Sequence, residues 1–471
     1  MKKKLIALAT AGFLVFAFTG LCLAEPEFSV TGWFRARSYW VPNIALDKTS
    51  VRENTYHDQR LILDPVLKIT DAIQIKMRIR ALDYIWGHTT MFKGLTFDRQ
   101  IDKTGSRTGT DPDSHFTWDR AWAVISLGKY GTLQIGRMDC SLFHNYFVSE
   151  EDTYPRYNYI APAITVPETI GGGGILLTGI LYDKRVEGDV DKTYGAPGFA
   201  GFELDIRGGE MNAFCPWFYL GTKKFQTGYT WFPFIAYFSE AQGGTQIVHF
   251  HDAMFDAKLG PVNLMSEATH MAGKLDPNLK MDNAWAYFVD LSVPVEEETV
   301  PITKVAVQVG HAGGCRDPAK YPESAFPAGD PWGLEGYTLN KMALLGLNVE
   351  WDVDLILWDQ IYESVRNATY IRGRVDFEIP ETKVGGYIAG IYSIANQYAR
   401  FQPAFTLPIG TAATTDGDEK GMGFEIDLGI SYALAEKSSI VLGLGYFMPG
   451  KYFAEPRDAT LAATVKTNIR F

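Results

Sequence analysis

Cysteine is scarce in this chain of 471 residues, with four in all. One of them, Cys22, lies in the N-terminal apolar stretch. The other three, Cys140, Cys215 and Cys315, are an odd number, so the chain is no disulfide scaffold. No C-x-x-C-H is present for haem and no paired C-x-x-C for zinc, and no cofactor is expected. No G-x-S-x-G occurs, and no Ser, His and acid are marked as partners, so an enzyme is not expected. Positive charge is also in deficit. The formal charge is −11, which argues against nucleic acid as a partner. Past residue 21, no stretch approaches the roughly 18 consecutive apolar residues of a membrane-spanning helix.

What is present begins with an export signal. Lys2, Lys3 and Lys4 form a positive start, Leu5 to Leu21 an apolar stretch, and Cys22-Leu23-Ala24 ends on a small residue. Residues 1–24 are expected to be removed after Ala24, leaving 25–471 as one unit. Leu21 stands before Cys22 where a lipid-modified protein usually has a small residue. Loss of the three lysines takes the formal charge from −11 to −14.

The remainder alternates with a period of two, which places successive side chains on opposite faces of a sheet. Phe28, Val30 and Phe34 share one face; Trp33, Arg35, Arg37 and Tyr39 share the other. Leu61, Leu63, Leu67 and Ile69 oppose Arg60, Asp64 and Lys68. Ile73, Ile75, Met77 and Ile79 oppose Gln74, Lys76, Arg78 and Arg80. Ile371, Val375 and Phe377 oppose Arg372, Arg374, Asp376 and Glu378. Phe424, Ile426, Leu428 and Ile430 oppose Glu425 and Asp427. Leu442, Leu444 and Tyr446 oppose Gly443 and Gly445, and in the last run Leu461, Val465, Ile469 and Phe471 oppose Lys466 and Arg470.

Connections alternate in length. Short ones fall at 71–72, 128–131, 260–261, 380–382 and 435–437; long polar ones fall at 41–58, 87–115, 139–173, 312–340, 398–419 and 449–458. Short turns on one side and long loops on the other are the topology of a bacterial outer-membrane barrel. The fold expected is all-β: one transmembrane antiparallel β-barrel. Sixteen to twenty strands can be counted, and an even number favours eighteen. The weakest are 174–182 and 211–221. A barrel of that size is too wide for wall side chains to fill, so long loops are expected to fold inward. No repeat and no interdomain linker is found.

Two segments carry a resemblance. Ala121 to Arg137, with the turn Gly128-Lys129-Tyr130-Gly131 and a strand ending Gly136-Arg137, resembles a hairpin of bacterial porins. Its following loop, 139–173, would fold into the pore. Glu425-Ile426-Asp427, Pro449-Gly450 and the terminal Arg470-Phe471 resemble the C-terminal part of the alginate-export-like outer-membrane porins, over roughly the last fifty residues. The resemblance implies an eighteen-stranded barrel in the outer membrane passing an anionic solute or polymer.

The candidate site is the polar face of the strands. Its basic residues are Arg35, Arg37, Arg60, Lys76, Arg78, Arg80, Arg120, Arg372, Arg374, Lys466 and Arg470. Its acids are Asp64, Asp376, Glu378, Glu425 and Asp427. A guanidinium offers a planar fork of donors to carboxylate, phosphate or sulfate. Two readings stay open: the cations select anions, or they pair with the acids and stiffen the wall. Strict alternation turns Arg137 toward lipid; a bulge at Gly136 is expected to turn it inward. His249 and His251 are two apart, yet no further ligands are marked, so no metal is expected. A shift of face near Asp252 is needed to join them to the strand that follows. Aromatic residues at strand ends, Trp40 and Trp231 among them, suit interfacial girdles, while Trp33 and Tyr39 could instead stack sugars. Phe471 is the expected assembly signal, read by the barrel-assembly machinery. The other partners expected are outer-membrane lipid and small hydrophilic or anionic solutes or polysaccharide.

Overall fold

The computed structural model of the chain describes residues 26–43, 46, 54–85, 116–128, 132–138, 157–166, 175–186, 210–222, 224–237, 245–276, 279–296, 301–313, 354–357, 365, 368–396 and 419–471. Residues 1–24, expected from the sequence to be a signal segment, lie outside them.

Strands form wherever the period-two pattern runs. They are β1 (Glu27–Val41), β2 (Asn54–Thr70), β3 (Ile73–Ile85), β4 (Phe116–Ser126), β5 (Thr132–Met138), β6 (Tyr157–Val166), β7 (Ile175–Val186), β8 (Glu210–Gly221) and β9 (Phe225–Tyr237). The second half continues with β10 (Thr245–Leu259), β11 (Val262–Asp276), β12 (Leu279–Pro294), β13 (Ile302–Ala312), β14 (Ala368–Glu378), β15 (Val384–Ala395), β16 (Gly421–Ala435), β17 (Ser438–Pro449) and β18 (Thr460–Arg470). Each pairs antiparallel with its neighbours in sequence, and β1 also pairs with β18. The sheet is therefore a closed ring of eighteen strands with no free edge. The two weak candidates are both strands, β7 and β8. Pro216 is tolerated inside the pairing, opposite Ile180.

Closure is made at the chain end. Trp33 pairs with Arg470 and Trp40 with Ala463. Beyond that register, Gly32 N–H donates to Phe471 O (2.9 Å) and Phe471 N–H to Gly32 O (3.0 Å).

The two faces of the ring differ. On β15, Ile388, Tyr392 and Ile394 are exposed, while Ala389, Ile391, Ser393 and Ala395 between them are buried. The same alternation sets Phe424 and Ile426 outward and Glu425 and Asp427 inward on β16. The inner side is identified by convergence. Val41, Phe288, Ala312, Tyr370, Ile391, Met422, Phe447 and Ala462, from β1 and from β12 to β18, meet in one buried cluster around Leu355, Ile356 and Leu357. Eight strands can reach one cluster only on the concave side. The exposed apolar residues form the convex side.

Several short turns are fixed by a threonine hydroxyl, which accepts backbone N–H groups that the turn leaves over. Thr70 Oγ1 accepts from Ala72 (3.2 Å) and Ile73 (3.1 Å), and Thr222 Oγ1 from Lys224 (3.2 Å) and Phe225 (3.1 Å).

Three expectations are corrected. Pairing of β5 with β4 and with β6 runs through Gly136 with no register shift, so no bulge turns Arg137 inward; Gly136 instead has φ 134°. An ideal Cβ there would stand 2.7 Å from Trp122 Cα, so only glycine fits. His249 and His251 need no shift of face, because β10 pairs continuously with β9 and β11 on either side of Asp252. Finally, loop lengths do not alternate strictly: β11 ends at Asp276 and β12 begins at Leu279, a tight connection on the side of the long loops.

Candidate functional site

Ring closure brings part of the basic set together. Arg35 stands opposite Arg60 on β2, and Arg37 opposite Lys466 on β18. With Arg470 beside Trp33, five cations share the inner face of three adjacent strands. Arg78 stands opposite Arg120 on β4, and Lys76 opposite Trp122, whose indole N–H donates to Gln134 Oε1 (3.1 Å). Arg372 and Arg374 lie on β14, four strands from β18, and form a separate patch. The side chain of Arg80 lies outside the described residues.

Much of this set is engaged within the wall. Arg78 grips Asp64 with two bonds, Nε to Oδ1 (2.6 Å) and Nη2 to Oδ2 (3.1 Å). Arg374 Nη2 is 2.6 Å and Lys304 Nζ 3.0 Å from the carboxylate of Asp376. The Arg374 guanidinium also lies 4.0 Å above the Tyr387 ring. Arg35 sits over Trp33 (5.4 Å) and Arg37 over Tyr39 (5.6 Å), so both inward aromatics carry a guanidinium on the face that a sugar would use. Arg35, Arg60, Arg120 and Arg372 are buried. Glu378, at the end of β14, is exposed.

At the end of the barrel that carries the short turns, a cavity of about 390 Å³ opens among Trp33, Lys437, Ser439, Asn468 and Arg470. It holds two cations and no acid among its lining residues.

The pairing of β13 with β14 makes residues 313–367 a connection between adjacent strands, and its segment Asp354–Leu357 lies inside the ring. Glu425 holds it there. Leu355 N–H and Ile356 N–H donate to Oε1 (2.9 and 2.8 Å), and Leu357 N–H donates to Oε2 (3.0 Å). Three consecutive amides share one carboxyl group that is only 1% exposed, so donors and acceptor alike find their partners inside the protein. The wall opposite is shaped to receive the segment. An ideal Cβ on Gly445 would come within 3.1 Å of Leu355 Cβ and 3.3 Å of Ile356 Cδ1; one on Gly443 would come within 3.2 Å of Leu355 Cδ1. Glu425 and Asp427 therefore point inward, as the alternation requires, but under this segment and not toward open water.

Asp354–Leu357 is not among the residues expected from the alternation to form the site. Its signal was present in part, as two inward glycines on β17 where a barrel wall usually carries side chains; the run itself lies past the 312–340 connection expected from the sequence, which the pairing of β13 with β14 lengthens to 313–367. His249 and His251 face outward and lie outside the lumen. Among the described residues no group of three or more His, Cys, Asp or Glu is arranged for a metal ion.

No family model matches the chain and no curated protein matches it. Solved structures are similar over nearly the whole chain at very low identity. A mutant of Rh. blastica porin has 10% identity and a TM-score of 0.41, covering 94% of this chain and 100% of that one. Pseudomonas aeruginosa OccK11 (OpdR) has 9% identity and a TM-score of 0.47, covering 95% and 96%. Salmonella typhi OmpF in complex with daunomycin has 9% identity and a TM-score of 0.41, covering 94% and 97%.

Proposed function

We propose that the chain is an outer-membrane channel for small hydrophilic solutes, with a preference for anions. The observation that carries this reading is the division of faces in a closed ring. The outer face is apolar, with Phe28, Val307, Ile371, Ile426 and Leu461 exposed. The inner face carries Arg35, Arg37, Arg60, Lys466 and Arg470 on three adjacent strands. Exposed apolar side chains on every second residue suit lipid, and charged ones suit water. The N-terminal export signal supports passage to the outer membrane, and the terminal Phe471 suits recognition by barrel-assembly machinery. Fixed cations in a wet lumen steer and select more than they bind, because each contact is screened.

A second reading, a barrel blocked by its own chain and serving a structural or adhesive role, draws on the buried segment 354–357. A dedicated exporter of an anionic exopolysaccharide draws on the sequence resemblance and on the cationic cavity beside Trp33. Conductance of the purified protein in planar bilayers separates the three. Open channels with an anion-favouring reversal potential support the first. Absence of current at any voltage leaves the blocked barrel. Block by uronate oligomers, absent with neutral sugars, favours the exporter.

A further inference from the structure

At the end of the barrel that carries the short turns, the inner face holds charge that the wall leaves unspent. Ring closure assembles it from three strands and a turn. Arg470 stands opposite Trp33 of β1. One step further in, Asn468 stands between Arg35 of β1 and Ser439 of β17. Lys437 comes from the turn between β16 and β17. Trp33, Lys437, Ser439, Asn468 and Arg470 together line the cavity of about 390 Å³.

Other inner cations have acids of their own. Arg78 grips Asp64, and Arg374 and Lys304 share Asp376. Among the described residues, the side chains of Lys437, Ser439, Asn468 and Arg470 make no hydrogen bond or ion pair with the protein. Asp64, which stands on β2 opposite Thr31 of β1, is the carboxylate that Arg78 already holds. Two like charges at neighbouring strand ends on one face of a sheet repel unless an anion lies between them.

The lining also favours one sense of hydrogen bonding. Lys437, Arg470 and the indole N–H of Trp33 can only donate, while Ser439 and Asn468 can donate as well as accept. Such a lining suits a ligand that only accepts. A phosphate monoester has three strong acceptor oxygens and nearly two negative charges at neutral pH, which match two cations; a simple carboxylate has one charge. At about 390 Å³ the cavity falls within the roughly 300–1,000 Å³ of small-molecule sites, so it has room for an organic body beside the phosphate. The Arg35 guanidinium already lies over the Trp33 ring (5.4 Å), so charge and not ring stacking is the recognising feature.

We propose that this cavity binds phosphate monoesters of small organic molecules at the periplasmic mouth of the channel. The proposal rests on the channel reading above, which sets the short turns in the periplasm, and it names a solute class for that channel. Arg470 supplies the planar fork of donors, Lys437 the second charge, and Ser439 and Asn468 the neutral donors.

Calorimetric titration of the full mature chain, folded in detergent micelles at pH 7.5 and low salt, tests this site without requiring an open channel. The probes are glycerol 3-phosphate, its singly charged methyl diester, and glycerol. The monoester should bind saturably to one site, the diester about fivefold more weakly, and glycerol not at all. Lys437→Gln and Arg470→Gln should each weaken the monoester about fivefold. Lys437 lies in an exposed turn, so its variant reports even where Arg470→Gln disturbs ring closure. Lys383→Gln, in another exposed short turn, should leave binding unchanged. No saturable binding, equal binding of monoester and diester, or unchanged binding in Lys437→Gln overturns the proposal. An equal loss in Lys383→Gln overturns it in favour of net charge alone. Monoester binding by a chain that passes no current in planar bilayers overturns the channel reading and leaves the site; current without binding does the reverse.

Discussion

Glu425 shows how a wall residue of a barrel can do the work of a loop anchor. Its carboxylate is the common acceptor for Leu355, Ile356 and Leu357, and no other described group provides that. Glu425→Ala would leave three amides without acceptors, a loss on the order of 3 kcal/mol or more for the docked segment. Single-channel conductance should rise and become noisier; unchanged current would mean that the segment is held by other contacts. Arg78 and Asp64 make a different kind of pair, partly open to water at 18% and 29% side-chain exposure. A double-mutant cycle with Arg78→Gln and Asp64→Asn, read by urea unfolding in liposomes, should give a coupling of about 1 kcal/mol. At this scale the sequence was half legible. Which face each charge occupies follows from parity. Whether a cation is spent on an acid, on a ring or on solute depends on cross-strand register, and one strand read alone does not contain it.

Among the elements, β18 and β17 are the most informative. β18 closes the ring, and its final backbone pair with Gly32 lies outside the strand itself. An ideal Cβ at Gly32 would stand 3.0 Å from the Phe471 ring, so the glycine is the seat for that ring. Deletion of Phe471 removes two closing hydrogen bonds and the ring together. Folding into lipid vesicles, followed by heat-modifiable gel mobility, should slow severalfold while the folded product keeps its shift; an unaltered rate would remove Phe471 from assembly. β17 makes room for the inner segment through Gly443 and Gly445. Gly445→Val places two methyl groups where Leu355 and Ile356 now lie, so a cysteine at position 355 should pass from protected to reactive toward a water-soluble maleimide. The strands themselves were legible because a long alternating run with a tight turn admits few other folds. The inner segment was not, since a three-residue apolar run has no period to read, and its partner lies some seventy residues away in sequence.

At the scale of the whole molecule, selectivity is a property of the sum of wall charges. Lys466→Gln with Arg470→Gln removes two cations from the inner face of β18, on either side of Asn468 and near the short-turn end. The anion-to-cation permeability ratio should fall by about twofold or more at 0.1 M salt, and by less as salt rises and screening shortens. A reversal potential that does not move would assign the basic wall to stiffness alone. The buried segment adds a constraint of another sort. Leu355 to Leu357 rest against β12 to β18 and β1, so one arc of the ring is backed by packed hydrocarbon and behaves like the core of a soluble protein. Among the described residues, β2 to β10 contribute no residue to that cluster, so the ring has two unlike arcs, one stiffened from within by packed side chains and one held by strand pairing.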